Sequence, residues 1–127
     1  MNATELYELL EPYNLSHLEC DGSTRVMSWV LKGAGVEHVV MLGRLEYLEE
    51  QVVEPHFWIV LEDSGLVVDF KARMWLLNNE FAPHGVFEKS DFPNALYVGE
   101  ETKIMVNKVI FNMLTRDQKE TSHGNQV

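Results

Sequence analysis

The chain holds a single cysteine, Cys20, and that scarcity excludes two things at once. A disulfide within the chain is impossible, and a cysteine-rich zinc site has no ligands to form from. A lone thiol suits a reducing compartment, so the expected location is the cytoplasm, whether of the producing cell or of one into which the protein is delivered. Basic residues are also few: 10 Lys and Arg stand against 20 Asp and Glu, for a formal net charge of −10. Phosphate backbones and anionic bilayers are bound through Lys and Arg. Neither nucleic acid nor a membrane surface is therefore an expected partner, and the surplus acid serves solubility. No apolar run approaches the roughly 18 residues that span a bilayer. Met1-Asn2-Ala3-Thr4-Glu5 lacks the basic and apolar regions of a secretory signal. No repeat, low-complexity tract or linker divides the chain. One domain is expected over residues 1–118, with a flexible polar tail over 119–127.

What is present reads as helices first and strands after. Leu6, Leu9 and Leu10 fall at helical spacing over 3–13, with Thr4 as the expected N-cap and Pro12 and Asn14 closing the segment. A second helix is expected from 20 to 31 or 32, with Val26, Trp29 and Val30 as its apolar stripe and Gly33-Ala34-Gly35 as its stop. The period then changes. Residues 38–48 are strand-like, 49–55 are a polar connection, and His56-Phe57-Trp58-Ile59-Val60-Leu61 is a strong strand, aromatic and β-branched. Glu62-Asp63-Ser64-Gly65 is a turn, and Leu66-Val67-Val68-Asp69-Phe70 is the returning strand of a hairpin. Residues 73–79 suit a short helix or an extension of that strand; Pro83, Gly85 and Pro93 punctuate loops; 95–98 suits a short strand and 102–115 a C-terminal helix. The expected class is α+β, with N-terminal helices packed on an antiparallel sheet.

Cys20 stands at the expected start of the second helix. A helix N-terminus presents free N–H groups and a partial positive charge, which favour a thiolate and can hold a developing oxyanion. A free cysteine is also commonly a small buried hydrophobe, so its neighbours decide its role. Asp69 interrupts an apolar strand, where a carboxylate has poor propensity and needs a partner. The hairpin supplies one. With the turn centred on Asp63-Ser64, Glu62 pairs with Gly65 and His56 falls opposite Lys71, so Asp69 shares a face with His56. Diagonal neighbours of this kind lie roughly 7–8 Å apart at Cα, within side-chain reach.

Cys20 as nucleophile, His56 as acid–base and Asp69 as its orienting group make the thiol version of a catalytic triad, with the backbone N–H groups of Cys20 and Asp21 as oxyanion donors. Trp58 shares the strand face of His56, placed either to shield the Asp–His contact from water or to fill the core. Glu46, Glu49, Glu50 and Glu54 either favour basic or amine substrates or form a solvated connection. Arg44, Lys71 and Arg73 read as solvated strand-face charges or as contacts to an acidic substrate group. His17 and Cys20 have a spacing that can bind metal on a helix, but without a second cysteine no metal site is expected.

These residues resemble the transglutaminase-like branch of the papain-like cysteine enzyme superfamily, which takes in arylamine N-acetyltransferases and many bacterial and phage thiol hydrolases. The likeness rests on a Cys at a helix start and on Pro55-His56-Phe57-Trp58-Ile59-Val60-Leu61 followed by Gly65-Leu66-Val67-Val68-Asp69-Phe70. That pattern is similar to the family's His-x-Trp strand, leading through a Gly turn to a strand that carries Asp. Cys20 precedes His56 by 36 residues, and His56 precedes Asp69 by 13. The likeness covers about residues 14–75. Two features depart from it. Asp21 follows the Cys where transglutaminases usually carry an aromatic, and Ser16-His17-Leu18-Glu19 stands where the acetyltransferases carry an Arg-Gly-Gly lead-in. Papain-type proteases place an oxyanion-hole Gln shortly before the Cys; here Asn14 is the nearest counterpart, and it serves equally well as a turn residue.

The resemblance implies a papain-like/transglutaminase-like core and a Cys20-His56-Asp69 enzyme, a cysteine protease, deamidase or acyltransferase. It would act without a cofactor on a protein or peptide substrate. The alternative is an inactive module of the same fold that binds a protein partner as an adaptor or inhibitor.

Overall fold

In this computed structural model, which describes residues 1–124 and gives 117–124 as backbone only, the chain opens on helix α1 (Ala3–Leu10). Its N-cap is Asn2 rather than Thr4. The Asn2 side chain accepts from the Glu5 N–H at 2.8 Å, and the Glu5 carboxylate accepts from the Asn2 N–H at 3.0 Å. This reciprocal pair satisfies two end groups at once, which a Thr4 cap would leave open. Pro12 sits in a 3-10 turn, Glu11–Tyr13, that ends the segment. Helix α2 (Cys20–Gly33) begins at the cysteine, and its N-cap, Glu19, makes no side-chain capping bond.

Five strands follow: β1 (His38–Tyr47), β2 (Gln51–Leu61), β3 (Val67–Asp69), β4 (Gly85–Phe87) and β5 (Ala95–Thr102). They form one sheet in the order β4-β3-β2-β1-β5, with every pair antiparallel. The architecture is α+β. Strand β2 starts at Gln51, inside the stretch read as a polar connection. The β1–β2 turn takes its left-handed backbone from Leu48 and Glu49, at φ 56° and 61°, so no glycine marks it in the sequence. Strand β4 lies where only loop punctuation was legible, and β5 is longer than 95–98. Residues 73–79 hold only a 3-10 turn, Arg73–Trp75, followed by further turns. Helix α3 (Lys108–Gly124) starts later than 102, because the Asn107 side chain accepts from the Ile110 N–H at 2.9 Å and sets the first turn. The tail expected over 119–127 falls on the backbone-only part of α3 and on 125–127, which lie outside the described residues.

Alternation along β2 sorts its side chains. Ile59 and Leu61 meet Leu6, Leu10, Met27 and Leu31 of α1 and α2 in the main core. Trp58 packs on the opposite face with Val67 and Phe87. Helix α3 leans on α2, with the Phe111 ring 6.1 Å from Trp29 and 5.9 Å from Tyr13. Among the described residues, no helix is long and apolar enough to cross a membrane.

Two registers position the site. Strands β2 and β3 pair as Ile59↔Val68 and Val60↔Val67, the register that sets His56 opposite Lys71. Strands β1 and β2 slip by one between Gly43↔His56 and Leu45↔Val53, so Glu54 and Pro55 together face Arg44. This bulge lies directly before His56, where a local bend re-aims the side chain that follows it.

Candidate active site

Asp69 closes β3, and four donors converge on its carboxylate. The Nε2–H of His56 donates to Oδ2 at 2.7 Å, and the Tyr97 hydroxyl donates to the same oxygen at 2.9 Å. The backbone N–H groups of Lys71 and Ala72 donate to Oδ1, each at 3.0 Å. Burial of an aspartate inside an apolar strand is thereby compensated at both oxygens. The His56–Asp69 pair is fully enclosed, with side-chain exposures of 0% and 1%. Burial also pushes the Tyr97 phenol well above its usual range, and the Asp69 charge and hydrogen bond push it the same way.

His56 stacks on Trp58, with ring centroids 5.9 Å apart and planes 23° apart. Tyr97 packs against Trp58 from 5.0 Å, so aromatic rings wall the Asp–His contact from solvent. Burial by itself would lower the His56 pKa. The Asp69 charge and hydrogen bond outweigh it and, with smaller contributions from Cys20, raise the value from 6.5 to about 10. The ring therefore carries a proton on each nitrogen at neutral pH. With Nε2 engaged by Asp69, the buried Nδ1 is left without a well-formed hydrogen bond. Cys20 lies close enough to act on the ring but is not locked to it, a looseness common in unliganded catalytic pairs.

Cys20 is half-buried at the first position of α2. The N–H groups of the first helical turn have no carbonyl partner within the helix. The thiol borders two spaces. One is a small pocket of about 10 Å³ between Cys20, Thr24, Asp69 and Lys71, about the size of one water. The other is an open cleft of about 480 Å³ lined by Glu19, Cys20, Asp21, Glu54, Phe57 and Trp75, among others. The second falls within the usual range for ligand sites.

The structure thus brings Cys20, His56 and Asp69 together from three elements. It places Asp21 on the exposed rim of the cleft and Trp58 behind the imidazole. Asn14 lines neither space beside the thiol. Its N–H donates to Glu11 O at 2.9 Å, and its buried Oδ1 has no partner, so it acts as a turn residue.

The three cations read as solvated are not free. Lys71 is buried, which lowers its pKa, and its Nζ donates to Leu15 O at 2.8 Å, tying β3 to the loop before Cys20. Arg44 pairs with Glu46 at 2.7 Å. Arg73 donates to the Ala82 and Glu80 carbonyls. Sequence reasoning missed Tyr97 altogether: it stands 28 residues from Asp69, and no local pattern marks its hydroxyl as a donor. Comparison with known proteins finds no matching family model, no matching curated protein and no matching solved structure.

Proposed function

We propose that this chain is a cofactor-independent thiol enzyme that cleaves or transfers an amide- or ester-linked acyl group, built on a papain-like/transglutaminase-like core. The observation that carries this reading is the seating of His56 between Asp69, at 2.7 Å, and the Cys20 thiol at a helix N-terminus. The working form is a Cys20 thiolate beside a His56 imidazolium. The sulfur attacks the carbonyl carbon, and the C=O electron pair moves onto oxygen, where N–H groups of the first α2 turn hold it. Collapse restores the C=O and breaks the bond to the leaving amine or alcohol, which takes the proton from His56. Water then attacks the thioester and gives a proton to His56. The C–S bond breaks, the carboxylic acid leaves and the thiolate–imidazolium pair returns. Asp69 holds the ring in place throughout and stays ionised. Hydrolysis is the favoured outcome because water needs no acceptor pocket, and a protein or peptide is the favoured substrate.

Alkylation by neutral iodoacetamide tests the reading. Cys20 should react at pH 6 at least about tenfold faster than a small free thiol, and His56→Ala should abolish that advantage. A rate equal to that of a free thiol and unchanged in His56→Ala would overturn the reading in favour of a binding module.

A further inference from the structure

Tyr97 comes to the site from a fourth element. It lies on β5, at the edge of the sheet, paired with Leu45 of β1. Its hydroxyl passes over β1 and β2 to the end of β3, where it donates to Asp69 Oδ2 at 2.9 Å. Gly99 shares that face of β5 and carries no side chain, and the Trp58 ring fills the space a Cβ there would take. Tyr97 packs on Trp58 at 5.0 Å and on His56 and Phe87 at 6.3 Å each, so its ring is held while its hydroxyl reaches the carboxylate.

The division of donors on Asp69 gives that hydroxyl a role. The Lys71 and Ala72 amides take Oδ1 and fix the plane of the carboxylate. Oδ2 is left for His56, and Tyr97 shares the same oxygen. Two donors on one oxygen divide its charge, so each weakens the hold on the other. Asp69 from β3 and Cys20 from α2 are the groups whose charge acts on the imidazole, and Asp69 acts also on Tyr97. Further out, His84, directly before β4, feels Asp69 together with Arg73, Lys71 and Glu11.

We infer that Tyr97 is a positioning residue of the triad: its hydroxyl takes up part of the charge on Asp69 Oδ2, so that the His56 imidazolium releases its proton to the leaving group instead of retaining it. This deepens the proposed thiol chemistry and rests on it. A buried carboxylate whose Oδ2 served His56 alone would hold the imidazolium proton more tightly still. Acyl transfer needs a proton that leaves the ring in one step and returns in the next.

The proton affinity of His56 tests the inference without a known substrate. Nuclear magnetic resonance follows the imidazole titration in the full chain, with the His56 signal assigned by its absence from His56→Gln. Tyr97→Phe keeps the ring and removes only the hydroxyl. Its His56 midpoint should rise by at least about half a pH unit, a roughly threefold gain in proton affinity. A hydroxyl that merely held Asp69 in place would give the opposite sign, because a loosened carboxylate lowers the midpoint. Replacing Tyr97 with 3-fluorotyrosine, a more acidic phenol and a stronger donor, should lower the midpoint, and it serves equally where Tyr97→Phe fails to fold. A midpoint unchanged or lowered in Tyr97→Phe, or unchanged or raised with 3-fluorotyrosine, overturns the inference. The resonance reads the ring whether or not Cys20 reacts, and the iodoacetamide rates above report separately on the nucleophile.

Discussion

Asp69 shows how one side chain can be costly in its strand and still be held there. A buried carboxylate without donors would be expelled or protonated; with four donors it becomes the anchor of a protonated imidazole. The sign of the resulting pH dependence follows. The folded pKa of His56, about 10, lies above its unfolded value of 6.5, so its contribution to stability is complete below about pH 6.5 and is lost as pH rises toward about 10. Urea unfolding should show stability falling across that window by up to about 1.4 kcal/mol per pH unit, the limit for one proton. In His56→Gln that slope should be absent; an equal slope in both proteins would show that the proton is held elsewhere. Asp69 was legible because a carboxylate breaks the expectation for its strand position, and His56 because the hairpin register sets it on the same face. The burial of Lys71 was not, because its cover comes from the Leu15 loop, 56 residues away in sequence.

At the scale of elements, hairpin and bulge divide the work. The β2–β3 register brings Asp69 onto the face of His56, and the slip at Glu54–Pro55 bends β2 directly before that residue. Opposite His56 stands Gly43, also paired to Gly99 of β5. A Cβ on Gly43 would lie 2.0 Å from Val98 O, and one on Gly99 would lie 2.8 Å from the Trp58 ring. Both glycines are therefore steric requirements of the close β1–β5 approach behind the site. Gly43→Ala should destabilise the protein by about 3 kcal/mol, read as a lowered urea midpoint, because the obstacle is backbone that cannot rotate away. The hairpin register was legible from the Asp63-Ser64 turn and the apolar runs around it. The start of β2 was not, since Leu48 and Glu49 adopt positive φ without a glycine, and three-residue β4 is too short to show a period.

At the scale of the molecule, the nucleophile and its acid–base partner belong to different layers. Cys20 comes with the N-terminal helices, His56 and Asp69 with the sheet, and they meet only when Leu6, Leu10, Met27 and Leu31 dock on Ile59 and Leu61. Enhanced alkylation at pH 6 should therefore vanish along a urea titration with the same midpoint as the far-UV circular dichroism signal. Survival of the enhancement beyond that midpoint would mean that the thiol is activated by its own helix alone. The sequence by itself determined the α+β class, helix α2 from its cysteine to its glycine stop, and the β2–β3 pairing, because these depend on period, turn chemistry and neighbours close along the chain. Only the tertiary structure decided that Cys20 comes beside His56, that Tyr97 and two backbone amides complete Asp69, and that the thiol borders a cleft shared with Phe57 and Trp75. Those contacts join positions tens of residues apart, and burial of apolar surface, which sets them, is a property of the assembled layers rather than of any one segment.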